Sequence, residues 1–339
     1  MNKVVITVSD YKKNNAGPKA KLDIENILSR RGFSKLNLNL NVKSKLLKIK
    51  YMLFTIPNIF RKSNYTEIIF QYPAYSSVLM NCFVKNIRKY TNAKLFFLVH
   101  DIESLRKFKD NSQFIKNELQ ILNNADGLIV HNQHMKNWLQ QKGITTPMVN
   151  LQIFDYLNPQ PLNDSFAYNQ TICFAGNLRK SRFLKKLNWI NHKLTVFGPN
   201  PLSNYPAAID YQGQYSPEEL PSHLKSNFGL VWDGDSLDTC NGSFGEYMQY
   251  NAPHKISLYL SSGIPVVIWE KAAMADFIKN NNVGLVINNL NDLEIQLSRL
   301  TDEEYSIIKQ NAINVAEKLR VGYYTNKAID QLEKEITHE

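Results

Sequence analysis

Short apolar runs return along this chain with room for a helix between them, and each run ends in polar or glycine residues. Val4-Val-Ile-Thr-Val8, Ile68-Ile-Phe70, Leu95-Phe-Phe-Leu-Val99 and Ala125-Asp-Gly-Leu-Ile-Val130 form a first series. Runs of this length, bounded by polar residues, read as buried strands. An amphipathic stretch over Ala20 to Leu28, with Leu22, Ile24, Ile27 and Leu28 as its apolar residues, and another over Ser112 to Asn123 read as helices between them. Strands that alternate with helices pair in parallel and wind into a doubly wound sheet.

The pattern then stops and starts again. Asp155 to Gln170 holds Pro159, Pro161 and several Asn, as a linker does. A second series follows: Thr171–Ala175, Leu194–Phe197, Ile209–Tyr211, Phe228–Trp232, Val266–Ile268 and Gly284–Ile287. With 339 residues there is chain enough for two cores. The expectation is an α/β protein of two doubly wound, Rossmann-like domains: 1–158, 165–320, and a closing helix over 321–339. Asp302 to His338 reads as mostly helical.

Charge is uneven. Residues 1–62 carry 14 Lys and Arg against 3 Asp and Glu, while the whole chain is only +10. A basic segment of this kind suits an anionic membrane surface, nucleic acid or an acidic partner, or it is a solvated face. Lys43 to Lys62 mixes bases with Leu, Ile and Phe; it reads either as a helix lying on a membrane or as one packed on a sheet with its lysines outward, limited by Pro57. The three cysteines, Cys82, Cys173 and Cys240, form no CxxC pair, which speaks against a zinc site or a disulfide framework and fits a reducing cytoplasm. The start of the chain is polar too soon for a signal peptide, and no run approaches the roughly 20 apolar residues of a membrane span.

Ligands of open α/β sheets collect at the carboxyl ends of the strands. In the second series those ends carry Gly176, Asn177 and Arg179, then Gly198, then Gly213 and Tyr215, then Asp233. The stretch Tyr250-Asn-Ala-Pro-His-Lys-Ile-Ser-Leu-Tyr-Leu-Ser-Ser-Gly-Ile-Pro-Val-Val267 adds a helix that starts at Pro253 beside His254 and Lys255. A helix start offers outward amides and the positive end of a dipole, so it suits a phosphate. Arg179 and Lys255 suit two phosphate groups, one by its fork and one as a point charge. Tyr211 or Tyr215 suits stacking on a base.

Neither GxGxxG after the first strand nor GxxxxGK[ST] occurs, so the site is neither a dinucleotide fingerprint nor a P-loop. Gly17 and Lys19, just before the first helix, fit a phosphate or sugar contact or a plain surface turn. His100-Asp101 ends a strand of the first domain; it fits a base for an acceptor hydroxyl, or Asp101 caps the helix that follows, with Glu103 a weaker choice of base. Asp233, Asp235 and Asp238 form an acidic loop that fits sugar hydroxyls, a metal or plain solvation; Glu246 fits the same sugar role.

Two doubly wound domains with a phosphate site in the second resemble a GT-B glycosyltransferase, its domains facing a cleft. Asn251-Ala-Pro-His-Lys-Ile-Ser-Leu-Tyr-Leu-Ser-Ser-Gly-Ile-Pro-Val266 is similar to the glucosyltransferase 3 type enzymes of Gram-positive adhesin glycosylation and their UDP-galactofuranosyltransferase-like group. The resemblance extends to Asn15-Ala-Gly-Pro-Lys-Ala-Lys21, His100-Asp101, Gly176-Asn-Leu-Arg179 and Trp232-Asp-Gly234. It implies a cytoplasmic hexosyltransferase that moves glucose from UDP-glucose onto N-acetylglucosamine of a serine-rich repeat adhesin. The alternative is a galactofuranose transferase of capsule or polysaccharide synthesis. It also implies no metal or other cofactor, homo-oligomers (tetramers) and no nucleic-acid partner. Peripheral membrane contact stays open. By resemblance, Arg179 and Pro253, His254, Lys255, Ile256 and Ser257 hold the UDP phosphates and ribose. Tyr211 lies near the uridine, and the loop around Asn15 to Gly17 closes over donor and acceptor. Many GT-B enzymes hold the ribose with a glutamate five residues before the glycine of Gly-x-Pro; Leu258 stands there in this chain.

Two other classes fit parts of the pattern. A sugar-nucleotide epimerase or synthetase would turn over a UDP-sugar without an acceptor. A non-catalytic partner of another glycosyltransferase would bind acceptor and no UDP.

Overall fold

A computed structural model describes residues 2–8, 16–38, 45–74 and 76–337. Twelve strands are described: β1 Lys3–Val8, β2 Ser34–Leu38, β3 Glu67–Tyr72, β4 Lys94–Val99, β5 Gly127–Val130, β6 Met148–Asn150, β7 Ile172–Ala175, β8 Leu194–Phe197, β9 Ile209–Tyr211, β10 Phe228–Val231, β11 Val266–Trp269 and β12 Gly284–Ile287. They form two sheets of six, in the orders β2-β1-β3-β4-β5-β6 and β12-β11-β10-β7-β8-β9. Every pairing in both sheets is parallel. Two doubly wound α/β sheets are the expected fold class. The strands that read as uninterrupted apolar runs are buried throughout, as sheets with both faces covered require.

The chain divides into a unit of Met1–Leu151 with Thr325–Glu339 and a unit of Gln152–Tyr324. The last helix, Tyr323–Thr337, was expected to stand alone, but from Thr325 onward it is part of the first unit. The packing shows why: Leu332 lies so close to Gly127 that a Cβ there would come within 2.8 Å of it. Lys3 Nζ pairs with Glu333 at 2.8 Å and Arg31 with Asp330 at 2.6 Å. The preceding helix, Asp302–Val321, starts in a Thr301/Glu304 capping box and ends at Gly322 with φ of 81°.

In the first unit, Phe60, Phe70, Phe83 and Phe97 meet edge to face around the middle strands. The first helix runs over Ala16–Arg30, longer at both ends than its apolar residues suggest. The basic segment is helical over Lys45–Lys50, makes a wide π-turn over Tyr51–Thr55, and continues over Ile56–Arg61. Pro57 therefore widens the helix instead of ending it. A proline collides with the carbonyl four residues back, and the wide turn, in which Ile56 N–H bonds Tyr51 O, opens the backbone just before it. No described helix is long and apolar enough to cross a membrane.

Candidate active site

In the second sheet the chain builds outward from β7 to β8 and β9, then returns to lay β10 on the other side of β7. Strand order reverses at that point, where loops diverge and ligands of such sheets bind. The direct pairing of β7 with β10 covers only Ile172↔Phe228 and Cys173↔Gly229. Beyond it the hydroxyl of Tyr259 takes over. It accepts from Ala175 N at 2.7 Å and donates to Leu230 O at 3.3 Å, satisfying both strands. Burial raises the Tyr259 hydroxyl well above its ordinary pKa. The ring lies flat on Gly229, where a Cβ would come 2.2 Å from it.

Tyr259 belongs to the helix His254–Ser261, and Lys255 stands one turn earlier on the same face. Its Nζ lies 3.3 Å from Trp232 O and 3.5 Å from Asp233 Oδ2, in the loop after β10. It lies 4.4 Å from the Phe174 ring centroid, and a Cβ on Gly176 would come 3.1 Å from its Cε. One ammonium thus touches the loops that leave both β7 and β10. Its side chain is 19% exposed, so the charge is partly shielded from water but still reachable.

The neighbours of Lys255 play several parts. Pro253 caps the helix from outside with φ −60° and ψ 130°, one residue earlier than its expected place inside the first turn. The His254 ring lies tilted against Tyr156 and Phe154, at 5.1 and 6.1 Å between centroids. The Ile256 side chain is fully buried and its amide bonds Pro253 O at 3.0 Å. Ser257 is buried and donates to Phe154 O at 2.7 Å. Leu258, at the ribose-glutamate position of other GT-B enzymes, is buried as well.

Arg179 is exposed on the loop after β7 and lines a pocket of about 370 Å³ with Arg182, Lys185, Asn200, Pro201 and Leu202. Asn200 Nδ2 donates to Asn177 Oδ1 at 3.1 Å, tying the loop after β8 to the loop after β7. Gly198 completes that junction: its φ of 139° and its closeness to Gly176 O leave no space for a side chain. Tyr211 ends the edge strand β9, 36% exposed, with its hydroxyl donating to Gly198 O at 3.1 Å. Tyr215 stacks on His223 at 3.6 Å. Asp235 is held by Asn241 and Asp238 accepts from Asn291, so these two acids brace the loop. Glu246 is exposed on the helix Gly242–Tyr247, and among the described residues no group of three or more His, Cys, Asp or Glu could hold a metal ion.

Of the first unit's candidates, Asn15 lies outside the described residues, and Gly17 is exposed in the first turn of Ala16–Arg30. Lys19 is buried in an ion pair with Asp23. Lys21 donates to Val8 O at 2.8 Å; burial lowers its pKa to about 8, opposed by Asp101 and Glu25. Gln71, fully buried at the end of β3, donates to Thr7 Oγ1 at 2.7 Å and to Lys21 O at 3.1 Å. Its oxygen is left for His100 Nε2 at 2.8 Å, so that nitrogen carries the proton. Asp101 does not cap the next helix: it pairs with Arg106 at 2.7 Å. The cap comes from Glu118, whose carboxylate accepts from Glu103 N at 3.1 Å and Ser104 N at 2.8 Å. Glu103 itself is buried against Arg106 and Lys107.

Sequence reasoning overlooked Arg182, Lys185, Gln71 and Lys21 in this setting. The run Arg179-Lys-Ser-Arg-Phe-Leu-Lys-Lys186 and the polar residue ending an apolar strand were the available signals.

The model of the glucosyltransferase 3-like N-terminal domain matches residues 2–153, and that of the C-terminal domain matches residues 172–332. The chain belongs to the glucosyltransferase 3-like family. Beta-1,6-galactofuranosyltransferase WbbI of Escherichia coli K12 is 34% identical over 246 residues, covering 69% of this chain and 70% of the relative. Glucosyltransferase 3 of Streptococcus gordonii is 28% identical over 266 residues, covering 77% of each. Among solved structures, Anabaena HepE in complex with UDP-glucose matches with a TM-score of 0.64 at 12% identity, covering 99% of this chain and 100% of that one. A glycosyltransferase from Rickettsia africae matches at 0.63 and 13% identity, covering 99% of each. The likeness to these structures is one of fold, two parallel Rossmann-like sheets. Lys255, Gly176, Arg179 and Tyr259 all lie within the part that matches the family's C-terminal domain.

Proposed function

We propose that this protein is a UDP-sugar-dependent hexosyltransferase. The observation that carries the reading is the Lys255 ammonium, held against the loops of both β7 and β10 where strand order reverses. In the transfer, the acceptor hydroxyl oxygen bonds the anomeric carbon of the sugar. The bond from that carbon to the phosphate oxygen breaks, UDP leaves with the electron pair, and the hydroxyl proton passes to a base. Lys255 and the Arg179 cluster offset the charge that builds on the leaving diphosphate, a term usually worth more than any other in such chemistry. No metal or other cofactor enters this reading. We assign the proton-accepting role to His100, which Gln71 holds through Nε2 at the end of β4. Asp101 pairs with Arg106 beside it.

The finer reading is glucose from UDP-glucose onto N-acetylglucosamine of a serine-rich repeat adhesin, in a cytoplasmic homo-oligomer. It is supported by the match to both domains of the family and to glucosyltransferase 3. A second reading is galactofuranose transfer in polysaccharide synthesis, favoured by the 34% identity to the Escherichia coli galactofuranosyltransferase. The test is incubation with UDP-glucose or UDP-galactofuranose and either a GlcNAc-bearing serine-rich peptide or an oligosaccharide acceptor. Mass spectrometry of the acceptor and assay of released UDP give the readout. Hexose gain with one donor selects between the two readings. Donor turnover without acceptor gain points to an epimerase or synthetase, and absence of both UDP binding and turnover points to a non-catalytic partner.

A further inference from the structure

The helical segment over 45–61 ends in the core of the first unit and begins on its surface. Ile56 and Phe60 are fully buried, but residues 46–50 are exposed without exception and none of Tyr51–Thr55 is buried. Leu46 is 79% exposed, Ile49 51%, and Leu53 and Phe54 62% each. Helices of this length are held mainly by packing an apolar face, and Leu46, Ile49, Leu53 and Phe54 of this one stand more than half exposed. The surface continues onto the helix Ser77–Tyr90: Cys82 Sγ reaches Met52 O at 3.5 Å, and Val78, one turn before Cys82, is 59% exposed.

The charges along it have one sign. From Glu25 to Glu67 the chain has nine Lys and Arg and no acid between. Lys48, Lys50, Arg61 and Lys62 are exposed there, and the helix Ser77–Tyr90 adds Lys85 and Lys89, while its Arg88 is paired with Asp126 at 2.9 Å. We propose that this face docks on the surface of an anionic phospholipid bilayer. Leu46, Ile49, Leu53 and Phe54 enter the boundary between headgroups and acyl chains, and the lysines meet lipid phosphates. A second copy of the same face fits poorly, because lysines of this segment would oppose lysines, and the segment itself carries no carboxylate. A nucleic acid would use the cations and leave the aliphatic side chains wet.

The test is co-sedimentation of the full-length protein with sucrose-loaded vesicles, with no donor or acceptor present, so its outcome is independent of the transferase reading. Wild type is expected on vesicles of phosphatidylcholine mixed with phosphatidylglycerol, far less on phosphatidylcholine alone, and less as salt rises. Lys48→Glu/Lys50→Glu and Leu53→Ser/Phe54→Ser should each lower binding by about tenfold or more. All four side chains are exposed or nearly so, so melting temperatures should hold; a single Lys48→Glu serves if a double variant fails to fold. Three results overturn the proposal: no binding to the mixed vesicles, equal binding by the variants, or a wild-type oligomer that Leu53→Ser/Phe54→Ser dissociates.

Discussion

Lys255 and Tyr259 stand one helical turn apart on a single face, and each connects the same two strands. Tyr259 bonds Ala175 of β7 and Leu230 of β10, and Lys255 lies against Gly176 and Trp232, the residues that follow those strands. The helix is thereby pinned across the reversal of the sheet, and its first turn is carried to the carboxyl ends. A lysine has four rotatable bonds and needs such an anchor to be held ready for an anion.

Tyr259→Phe removes the bridge and leaves a buried N–H and a buried carbonyl without their partner. The expected loss of stability is about 1–3 kcal/mol, seen as a lower urea midpoint with an unchanged slope. If Lys255 depends on this anchor, donor KM rises in the same variant at temperatures where it remains folded. Normal stability would mean that the two strands close on each other without the hydroxyl.

Lys255→Ala tests the donor reading directly. The variant should keep its melting temperature within a few degrees, since the side chain is only partly buried, and lose about 100-fold or more in kcat/KM. UDP should no longer raise its melting temperature. Wild-type UDP affinity in this variant would remove Lys255 from the site. Gly176→Val should act in the same direction by displacing the lysine, because a Cβ there already comes 3.1 Å from Lys255 Cε.

The parts of the fold that could be read from the sequence are those in which neighbours in the chain share a cause. Strands buried on both faces, such as Leu95–Val99 and Val266–Ile268, stand out as apolar runs, and the start of the helix at His254 is marked by Pro253. β2 was missed because it is an edge strand with Ser34, Lys35 and Asn37 exposed, so no apolar run marks it. The role of Tyr259 was also missed. It looks like one more apolar position of a helix, and its partners are backbone atoms of strands far away in the chain. Pro57 misled because the rule that proline ends a helix omits the option of a wide turn. In the sequence Asp101 fits a base or a helix cap, and Lys19 a ligand contact or a surface turn; the ion pairs they make, with Arg106 and Asp23, lie within five residues in the chain.

The pocket of Arg179, Arg182 and Lys185 gives a prediction about salt. If the three cations hold a diphosphate, Arg182→Ala and Lys185→Ala should each raise the dissociation constant of UDP by roughly 5- to 100-fold, less for whichever residue is the more screened. Both variants should show a shallower dependence of affinity on salt than wild type. Calorimetric titration at two ionic strengths measures both quantities. Unchanged affinity in both variants would restrict the phosphate site to Arg179 and the start of the helix at His254.

A last prediction concerns acid. His131 is buried, with Nε2 3.0 Å from Val99 O, and burial holds its pKa down at about 4 against bonds to the backbone of Val99 and His100 that raise it. In the unfolded chain the same imidazole takes a proton near its ordinary 6.5. Between those values the unfolded state binds more protons than the folded one, so stability falls as pH drops through this window. Above it the imidazole is neutral in both states, and the stability it contributes is fully present. The contribution lost on acidification is about 3 kcal/mol. His131→Gln keeps a donor for Val99 O and removes the titration, so urea midpoints measured from pH 7 to pH 4 should fall less steeply than in wild type. Equal slopes in the two proteins would mean that His131 takes its proton in the folded state as readily as in the unfolded one.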